Sequence, residues 1–299
     1  MNEKLLDKLK HGKMGLEPEM PPPAERPVNR KPADPKAPVE QTGESGDDDK
    51  TIVSVEEATL GYGRTKVLTD INLKIVEGDF WCLIGPNGEG KTTLIKGLLG
   101  ALRPSRGKIF LRADFAKRTR IGFVPQHCEL NPSVPTTVRE FVFSGLAGMR
   151  LDRQTCRSRL TQVMEVMGIS RLALRDFWAL SGGQRQRAMV ARALIRDPLL
   201  VIVDEPTAGL DWAAAAGLLQ TITELNRDRN ITVVFVTHDL NLAGQRASHA
   251  ALFRNRQVRS GPIREIFKPE LLKATFGVPI QVTQQSDGRL GVRAESFSE

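Results

Sequence analysis

Residues 85–93 read Gly85-Pro86-Asn87-Gly88-Glu89-Gly90-Lys91-Thr92-Thr93, between the apolar run 80–84 and a second apolar stretch that begins at Leu94. The two runs predict a short buried strand before the segment and a helix after it. Glycines allow consecutive backbone N–H groups to curl around an anion, and the positive end of the helix dipole adds to their attraction. The lysine supplies a cation for phosphate and the first threonine a hydroxyl for Mg²⁺. The segment therefore predicts a binding site for a nucleotide polyphosphate.

The first fifty residues differ in composition from the rest of the chain. They contain eight of the 18 prolines and no Phe, Trp or Tyr, so they offer little apolar surface to bury. We expect residues 1–50 to form a disordered, charged, Pro-rich extension. This segment carries a net charge of −2 and the whole chain carries +8, so residues 51–299 carry about +10. Such a basic body favours an anionic partner, namely a nucleotide, a nucleic acid or a membrane surface.

Hydrophobic runs and cysteines bear on the cellular setting. No run of about 18 apolar residues occurs, and the N-terminus lacks the apolar core of a signal peptide. We therefore expect neither a membrane span nor a signal peptide. The three cysteines, Cys82, Cys128 and Cys156, are far apart and form no metal-binding spacing. They are typical of reduced thiols in a cytosolic protein.

Strand and helix patterns alternate after residue 50. Strands are predicted at 51–55, 71–75, 80–84, 108–111, 121–124, 199–203 and 232–236, and helices at 153–168, 171–178, 181–195 and 213–226. Thr137 and Glu140 fit a capping box at the start of a further helix. Polar residues follow several strands, at Gln126, at Asp204-Glu205 and at His238. Because ligands bind at the carboxyl ends of parallel strands, an α/β fold with these side chains at one sheet edge is predicted.

In order and spacing, these segments resemble the ATPase domain of ATP-binding cassette (ABC) proteins. Residues 85–93 are similar to the Walker A loop, and Val201-Ile202-Val203-Asp204-Glu205 is similar to Walker B with its adjoining glutamate. The other matches are Tyr62 (stacking aromatic), Gln126 (Q-loop), Leu180-Ser181-Gly182-Gly183-Gln184 (signature), Ala208-Gly209-Leu210-Asp211 (D-loop) and His238 (switch histidine). The resemblance covers residues 51 to about 265, and the signature together with Walker A is specific to this superfamily.

The resemblance implies a P-loop NTPase fold with three parts. These are a RecA-like core, an antiparallel β subdomain and a helical subdomain at about residues 127–190. The ABC ATPase domain would span residues 51–266. Residues 267–299 would form a short C-terminal extension with strands near 280–282 and 290–292.

The resemblance also implies ATP hydrolysis with Mg²⁺. The residues expected to bind ATP are Tyr62, Gly85, Pro86, Asn87, Gly88, Glu89, Gly90, Lys91, Thr92 and Thr93. Thr92, Asp204 and Gln126 are expected to hold Mg²⁺. The expected catalytic residues are Glu205, which would act on the attacking water, Gln126, which would sense the γ-phosphate, and His238, which would tie the γ-phosphate to Glu205. Such sites catalyse phosphoryl transfer mainly by positioning and charge neutralisation.

In the family, the signature of one copy closes over the ATP of another copy. The expected residues acting on the partner's ATP are Ser181, Gly182, Gly183 and Gln184, with Asp211 in the D-loop beside them. The chain has one Walker A and one signature, so a second chain must supply the other copy. We therefore expect a head-to-tail homodimer with two ATP molecules between the protomers.

Two positions depart from the family pattern. Position 89 is usually small or neutral, and here it is Glu89, whose side chain we expect to point outward because backbone amides hold the phosphates. Asp211 is followed by Trp212 where proline is more usual.

The stretch 126–142 resembles importers of zinc and manganese, while 238–278 is also similar to importers of iron-siderophore, haem and cobalamin. Both resemblances imply a peripheral subunit on the cytoplasmic face of the cell membrane. Its partners would be an integral membrane permease, which would dock near residues 126–145, and an extracytoplasmic substrate-binding protein. An exporter cassette stays open as an alternative.

A soluble ABC ATPase linked to nucleic acid is favoured only by the basic charge of residues 51–299. Because no aromatic residues are interleaved on a basic patch, we expect no nucleic-acid partner.

Overall fold

The computed structural model describes residues 50–115, 119–128 and 131–294. The predicted disorder of the N-terminal segment therefore lies outside the described residues, apart from Lys50. The strands are β1 Thr51–Tyr62, β2 Thr65–Val76, β3 Phe80–Ile84, β4 Arg106–Leu111, β5 Ile121–Val124, β6 Leu200–Asp204, β7 Thr232–Thr237, β8 His249–Arg254, β9 Gln257–Pro262, β10 Ile280–Gln284 and β11 Leu290–Ala294. The helices are α1 Lys91–Leu98, α2 Val138–Phe143, α3 Arg153–Val166, α4 Gly182–Leu194, α5 Trp212–Arg229, α6 Leu240–Arg246, α7 Ile263–Ile266 and α8 Pro269–Phe276.

A six-stranded sheet in the order β5-β6-β7-β3-β8-β9 positions the predicted site residues. Its strands are parallel except for the β8–β9 pair. Every residue of β3, β6 and β7 is buried, as expected for central parallel strands that are covered on both faces. The carboxyl ends of these strands therefore meet at one edge, and the predicted α/β class is confirmed.

A second, antiparallel sheet has the order β2-β1-β4. Its first strand runs through Tyr62, well beyond the predicted end at Val55. Register shifts between Val55 and Ala58, with Glu57 at φ +45°, mark a bulge in β1. The bulge lets pairing resume after an irregular stretch, which is why the strand is longer than its β-branched start indicates.

The predicted helix at 171–178 is wrong. A short 3-10 turn spans Ser170–Leu172. The residues that follow make isolated turn bonds, such as Arg175 N–H to the Leu172 carbonyl, and also bond to the segment around the start of α2. The Val138 amide donates to the carbonyl of Arg175, and the Phe177 amide donates to the carbonyl of Thr136. These bonds between two segments of the chain occupy backbone N–H and C=O groups that a helix at 171–178 would need.

The remaining predicted helices are confirmed with small shifts at their ends. The predicted capping box is present in α2, where Thr137 Oγ1 accepts from the Glu140 amide and the Glu140 carboxylate accepts from the Thr137 amide. Within the described ranges, no helix combines the length and apolar character needed to cross a lipid bilayer.

The C-terminal residues pack onto the core. The predicted strands at 280–282 and 290–292 belong to β10 and β11, which pair as an antiparallel hairpin. Leu290 is 7% exposed and joins the core cluster that includes Ala243 of α6. The Val292 amide donates to Asn241 Oδ1 over 2.8 Å, so the hairpin is bound to the helix that follows His238.

Candidate active site

The glycine-rich loop joins β3 to α1 at the carboxyl edge of the central sheet. Gly88 and Gly90 have φ values of +83° and +99°, a left-handed region that favours glycine. A Cβ at Gly90 would lie 2.7 Å from Leu68 Cδ2, so this position also lacks room for a side chain. The loop conformation and the packing of Gly90 against β2 therefore require the glycines that the sequence places there.

Lys91 folds back along the loop. Its Nζ donates to the carbonyl of Gly85 over 2.7 Å and to that of Pro86 over 2.9 Å. Burial lowers the pKa of Lys91, and the negative charges of Glu205, Asp204 and Glu89 oppose that shift. A cation is thus held inside the loop, facing the carboxylates at the end of β6.

Asp204 is the last residue of strand β6 and Glu205 follows it, next to the loop. Thr92 Oγ1 donates to Asp204 Oδ2 over 3.4 Å, which joins the first turn of α1 to this strand. Burial raises the pKa of Asp204 and the charge of Glu205 raises it further, while the Thr92 hydrogen bond and Lys91 lower it. Glu205 has φ +45°, a backbone conformation that costs energy for a residue with a side chain and that clusters at functional sites.

Gln126 and His238 follow the two strands that flank β6. Gln126 is exposed after β5, and its Nε2 donates to Glu205 Oε2 over 3.1 Å. His238 is exposed directly after Thr237 of β7, and Asp239 then caps α6 by accepting from the Leu242 amide. Among the hydrogen bonds of the described residues, none joins His238 to Glu205, so Gln126, but not His238, is hydrogen-bonded to the glutamate.

Tyr62 lies at the end of β1 with its side chain exposed. Lys96 Nζ lies 5.4 Å from the centre of its ring, which places the aromatic beside the helix that begins at the phosphate loop. Tyr62 is 48% exposed, so one face of its ring stays accessible beside the Lys96 cation. A planar base would find an aromatic surface here.

The signature residues form the start of α4. Ser181 Oγ accepts from the Gln184 amide, and Gln184 Oε1 accepts from the Ser181 amide, which makes a second capping box. The D-loop lies beside them, since a Cβ on Gly182 would be 3.6 Å from Leu210 Cδ2. Asp211 accepts from the Ala214 amide and caps α5. No hydrogen bond or ion pair of the described residues connects 181–184 to the phosphate loop at 85–93.

Comparison with known proteins identifies the family. The family profile for ABC transporters matches residues 68–208. The zinc uptake ATP-binding protein ZurA of Listeria monocytogenes is 34% identical over 226 residues, covering 72% of this chain and 88% of the relative. The chain belongs to the ABC transporter family.

Other ABC relatives differ in the substrate named for them. The ferric enterobactin transport ATP-binding protein FepC of Escherichia coli is 35% identical over 239 residues, covering 75% of this chain and 86% of the relative. The manganese transport ATP-binding protein MntB of Bacillus subtilis is 35% identical over 235 residues, covering 75% of this chain and 92% of the relative.

Solved ABC structures share the fold. A protein described as a metal-chelate type ABC transporter in an inward-facing conformation superposes with a TM-score of 0.73 at 30% identity, covering 83% of this chain and 98% of that chain. An ATP-binding cassette solved as a dimer with ADP and phosphate superposes with a TM-score of 0.61 at 29% identity, covering 71% of this chain and 99% of that chain. The chain is therefore an ABC-type ATP hydrolase, and the family fold expected from its motifs is confirmed.

Sequence reasoning missed one residue at the site of this ABC ATPase. Arg254 ends β8, and its Nη1 lies 3.5 Å from Glu89 Oε1 in the phosphate loop. The Glu89 side chain is 20% exposed, so it faces the end of β8 rather than pointing outward as expected. No sequence motif marks Arg254, because its position depends on the pairing of β8 with β3.

Proposed function

We propose that this ABC ATPase is the ATP-hydrolysing subunit of an importer that powers metal-ion uptake through a separate membrane permease. The observation that carries the ATP-hydrolysing role is the pair of contacts Thr92–Asp204 and Gln126–Glu205. These contacts join residues from three chain segments at the carboxyl edge of one sheet. The protein would act as a peripheral subunit on the cytoplasmic face of the cell membrane.

The loop amides and Lys91 bind the β- and γ-phosphates, and Tyr62 stacks on the adenine ring. The residues present fit Mg²⁺, because the Thr92 hydroxyl and the Asp204 carboxylate are neighbouring oxygen ligands of the kind that Mg²⁺ prefers. Gln126 completes the group of side chains that would hold it. Mg²⁺, when bound, neutralises charge on the phosphates.

Glu205 orients the attacking water and accepts its proton as the water oxygen bonds to the γ-phosphorus and the bond to the ADP oxygen breaks. The hydrogen bond from Gln126 holds the Glu205 carboxylate in place for this step. His238, at the end of the neighbouring strand, contacts the γ-phosphate. Positioning of this kind contributes much of the rate in phosphoryl transfer.

The signature acts on a second copy of the chain. Within one copy, residues 181–184 cap α4. In the part of the chain that the structure describes, they make no hydrogen bond to residues 85–93, so we infer that a partner completes the second side of each ATP site. Ser181, Gly182, Gly183 and Gln184 would meet the ATP of the partner across a head-to-tail homodimer. The similar cassette solved as a dimer with ADP and phosphate supports a dimer.

Two features bear on the permease. A cavity of about 540 Å³ lies beside the Q-loop, and its lining includes Cys128, Phe141, Ser144, Arg192 and Arg196. This cavity is our candidate for the permease contact, and Cys128, Phe141 and Ser144 of its lining belong to the region 126–145 expected from the sequence. An extracytoplasmic substrate-binding protein would deliver the substrate to the permease.

The substrate class rests on the relatives. ZurA is named for zinc and MntB for manganese, which favours a zinc or manganese importer. FepC, named for ferric enterobactin, favours an importer of iron-siderophore, haem or cobalamin as the second candidate.

Metal accumulation in a deletion strain tests the proposal. We expect cells without this chain to take up less zinc or manganese, measured by elemental mass spectrometry under metal limitation. The wild-type gene and Glu224→Gln, a change at an exposed position of α5, should restore uptake, and Glu205→Gln should not. Restored uptake of ferric siderophore alone would favour the second candidate, and unchanged uptake of all of these substrates would contradict an importer.

A further inference from the structure

An acidic residue inside a phosphate loop creates an electrostatic conflict. Glu89 lies between Gly88 and Gly90, in the loop whose backbone N–H groups would bind the phosphates. A bound MgATP carries net negative charge, so an uncompensated carboxylate in this loop would repel it. The loop therefore needs a cation other than Lys91, which faces the phosphates themselves.

The fold supplies that cation from a distant part of the chain. Strand β8 pairs with β3 in parallel, with Ile84 opposite Leu252, so the end of β8 lies beside the start of the loop. Phe253 packs against the loop so closely that a Cβ on Gly85 would lie 2.6 Å from the Phe253 carbonyl oxygen. Arg254 follows at once, and its Nη1 lies 3.5 Å from Glu89 Oε1.

The turn after Arg254 holds the β8–β9 hairpin next to the loop. Asn255 and Arg256 both adopt left-handed backbone conformations, at φ +50° and +66°. The Thr69 amide donates to the Arg256 carbonyl over 2.9 Å, which ties this turn to β2. The backbone of Arg254 is therefore held in place at the end of β8, although its side chain is 43% exposed.

We propose that Arg254 is a positioning residue for ATP binding, which acts by pairing with Glu89 and turning the acid away from the phosphates. The proposal rests on the assignment of residues 85–93 as the ATP site. The pair has no net charge, so Lys91 and the loop amides remain the groups that attract the polyphosphate. The charge of Glu89 also acts on Lys91: burial lowers the pKa of Lys91, and the nearby Glu89 carboxylate opposes that shift.

A double-mutant cycle at positions 89 and 254 tests the pairing. Binding of a non-hydrolysable ATP analogue with Mg²⁺ is measured by calorimetry on the full chain and on Glu89→Gln, Arg254→Gln and the double variant. We expect Arg254→Gln to weaken binding by about 3- to 10-fold, because an exposed ion pair has a modest effect that the nearby phosphates increase. In the Glu89→Gln background the same change should alter binding by less than about twofold, since coupling exists only while both partners remain.

Two controls make the result specific. Arg256→Gln removes the same charge two residues away and should leave binding within about twofold of wild type, because exposed charges that are not paired interact weakly through water. Arg254→Lys keeps the charge and should retain most of the affinity. The penalty for Arg254→Gln should also shrink as ionic strength rises from roughly 0.05 to 0.5 M, as salt screens the repulsion.

Each other outcome contradicts the pairing in its own way. An equal loss in both backgrounds would mean that Arg254 contacts the phosphates directly, and no loss in either would mean that the ion pair has no role in binding. If Arg256→Gln weakened binding as much as Arg254→Gln, the loss would reflect the net charge of this region and not the pairing of Arg254 with Glu89. If wild type itself failed to bind MgATP analogue, the ATP-site assignment would fail first, and the cycle separates that result from failure of the pairing.

Discussion

Gln126 Nε2 donates a hydrogen bond to Glu205 Oε2 over 3.1 Å. The two residues follow neighbouring parallel strands, since Val124 of β5 lies opposite Val203 of β6. Glu205 has a left-handed backbone conformation at φ +45°, so its side chain leaves the strand in an unusual direction. The contact restrains that side chain and links the segment that leads to α2 with the proposed catalytic carboxylate.

Gln126→Ala should therefore slow hydrolysis more than it weakens binding. Loss of the hydrogen bond frees the Glu205 carboxylate, and we expect kcat to fall roughly 10- to 100-fold while KM changes less than about threefold. Steady-state release of phosphate from ATP measures both constants. Gln245→Ala, at an exposed position of α6, is the matched control, and a fall in kcat as large for the control would contradict the prediction.

Tyr62→Ala should weaken ATP binding, whereas Tyr62→Phe should not. The ring is half exposed and lies beside Lys96, which follows the phosphate loop, so a base can stack on it. Stacking of a base on an aromatic ring is worth about 1–3 kcal/mol, which predicts a loss of roughly 5- to 150-fold for alanine. Calorimetric titration with MgATP analogue gives the affinities, and equal affinities for the alanine and phenylalanine variants would argue against stacking.

Asp204→Asn should stabilise the folded protein while abolishing activity. Burial and the charge of Glu205 raise the pKa of Asp204, so folding favours its neutral form. The stability that comes from the neutral form is fully present below the ordinary aspartate pKa and is lost as pH rises through the raised value. At neutral pH the asparagine variant should therefore unfold at higher urea concentration, by roughly 1 kcal/mol, without added nucleotide or metal.

The pH dependence and a control check this assignment. The gain from Asp204→Asn should disappear below about pH 4, where the wild-type carboxyl is neutral as well. Asp228→Asn is the control, because Arg227 lowers the pKa of Asp228 by a hydrogen bond and its removal should bring no gain. Equal stability of wild type and Asp204→Asn at neutral pH would contradict the expected cost of the buried charge.

The C-terminal hairpin should contribute to stability through one close backbone contact. A Cβ at Gly244 of α6 would lie 2.4 Å from the Leu290 carbonyl oxygen, so Gly244→Ala must push β11 away from the helix. We expect a loss of about 1–3 kcal/mol in the free energy of unfolding, the usual effect of overpacking. Gly261→Ala is the control, since its Cβ would lie 3.6 Å from Ile266 and fits without strain. Equal effects of the two substitutions would contradict the role of the Leu290 contact.

Local patterns in the sequence predict most of the site. The loop at 85–93 and the pair Asp204-Glu205 are each set by a few adjacent residues with a strand before them, so their chemistry is legible without tertiary structure. The same holds for the capping box at Thr137 and Glu140, because a cap depends on residues three positions apart. Whether the site residues play the predicted roles stays a prediction that the substitutions above address.

Features that depend on contacts between distant segments were missed or wrong. Arg254 reaches Glu89 across 165 residues of sequence through the pairing of β8 with β3. The segment 171–178 has a helical composition, yet its backbone bonds to residues 136–138. The extension after residue 266 also packs into the core, with Leu272 fully buried, which its modest strand patterns did not indicate. In each case tertiary contacts outweigh local preference.

The oligomeric state of Glu205→Gln tests the central claim most directly, because it requires ATP binding, a catalytic role for Glu205 and a signature that acts on a second copy. The molar mass of the full chain is measured by light scattering with and without MgATP. We expect Glu205→Gln to shift from monomer to dimer with ATP, and the shift to be lost when Ser181→Arg is added. The exposed change Glu224→Gln should leave the wild-type behaviour, with turnover of ATP and no trapped dimer. A Glu205→Gln protein that stays strictly monomeric at saturating ATP would contradict the account.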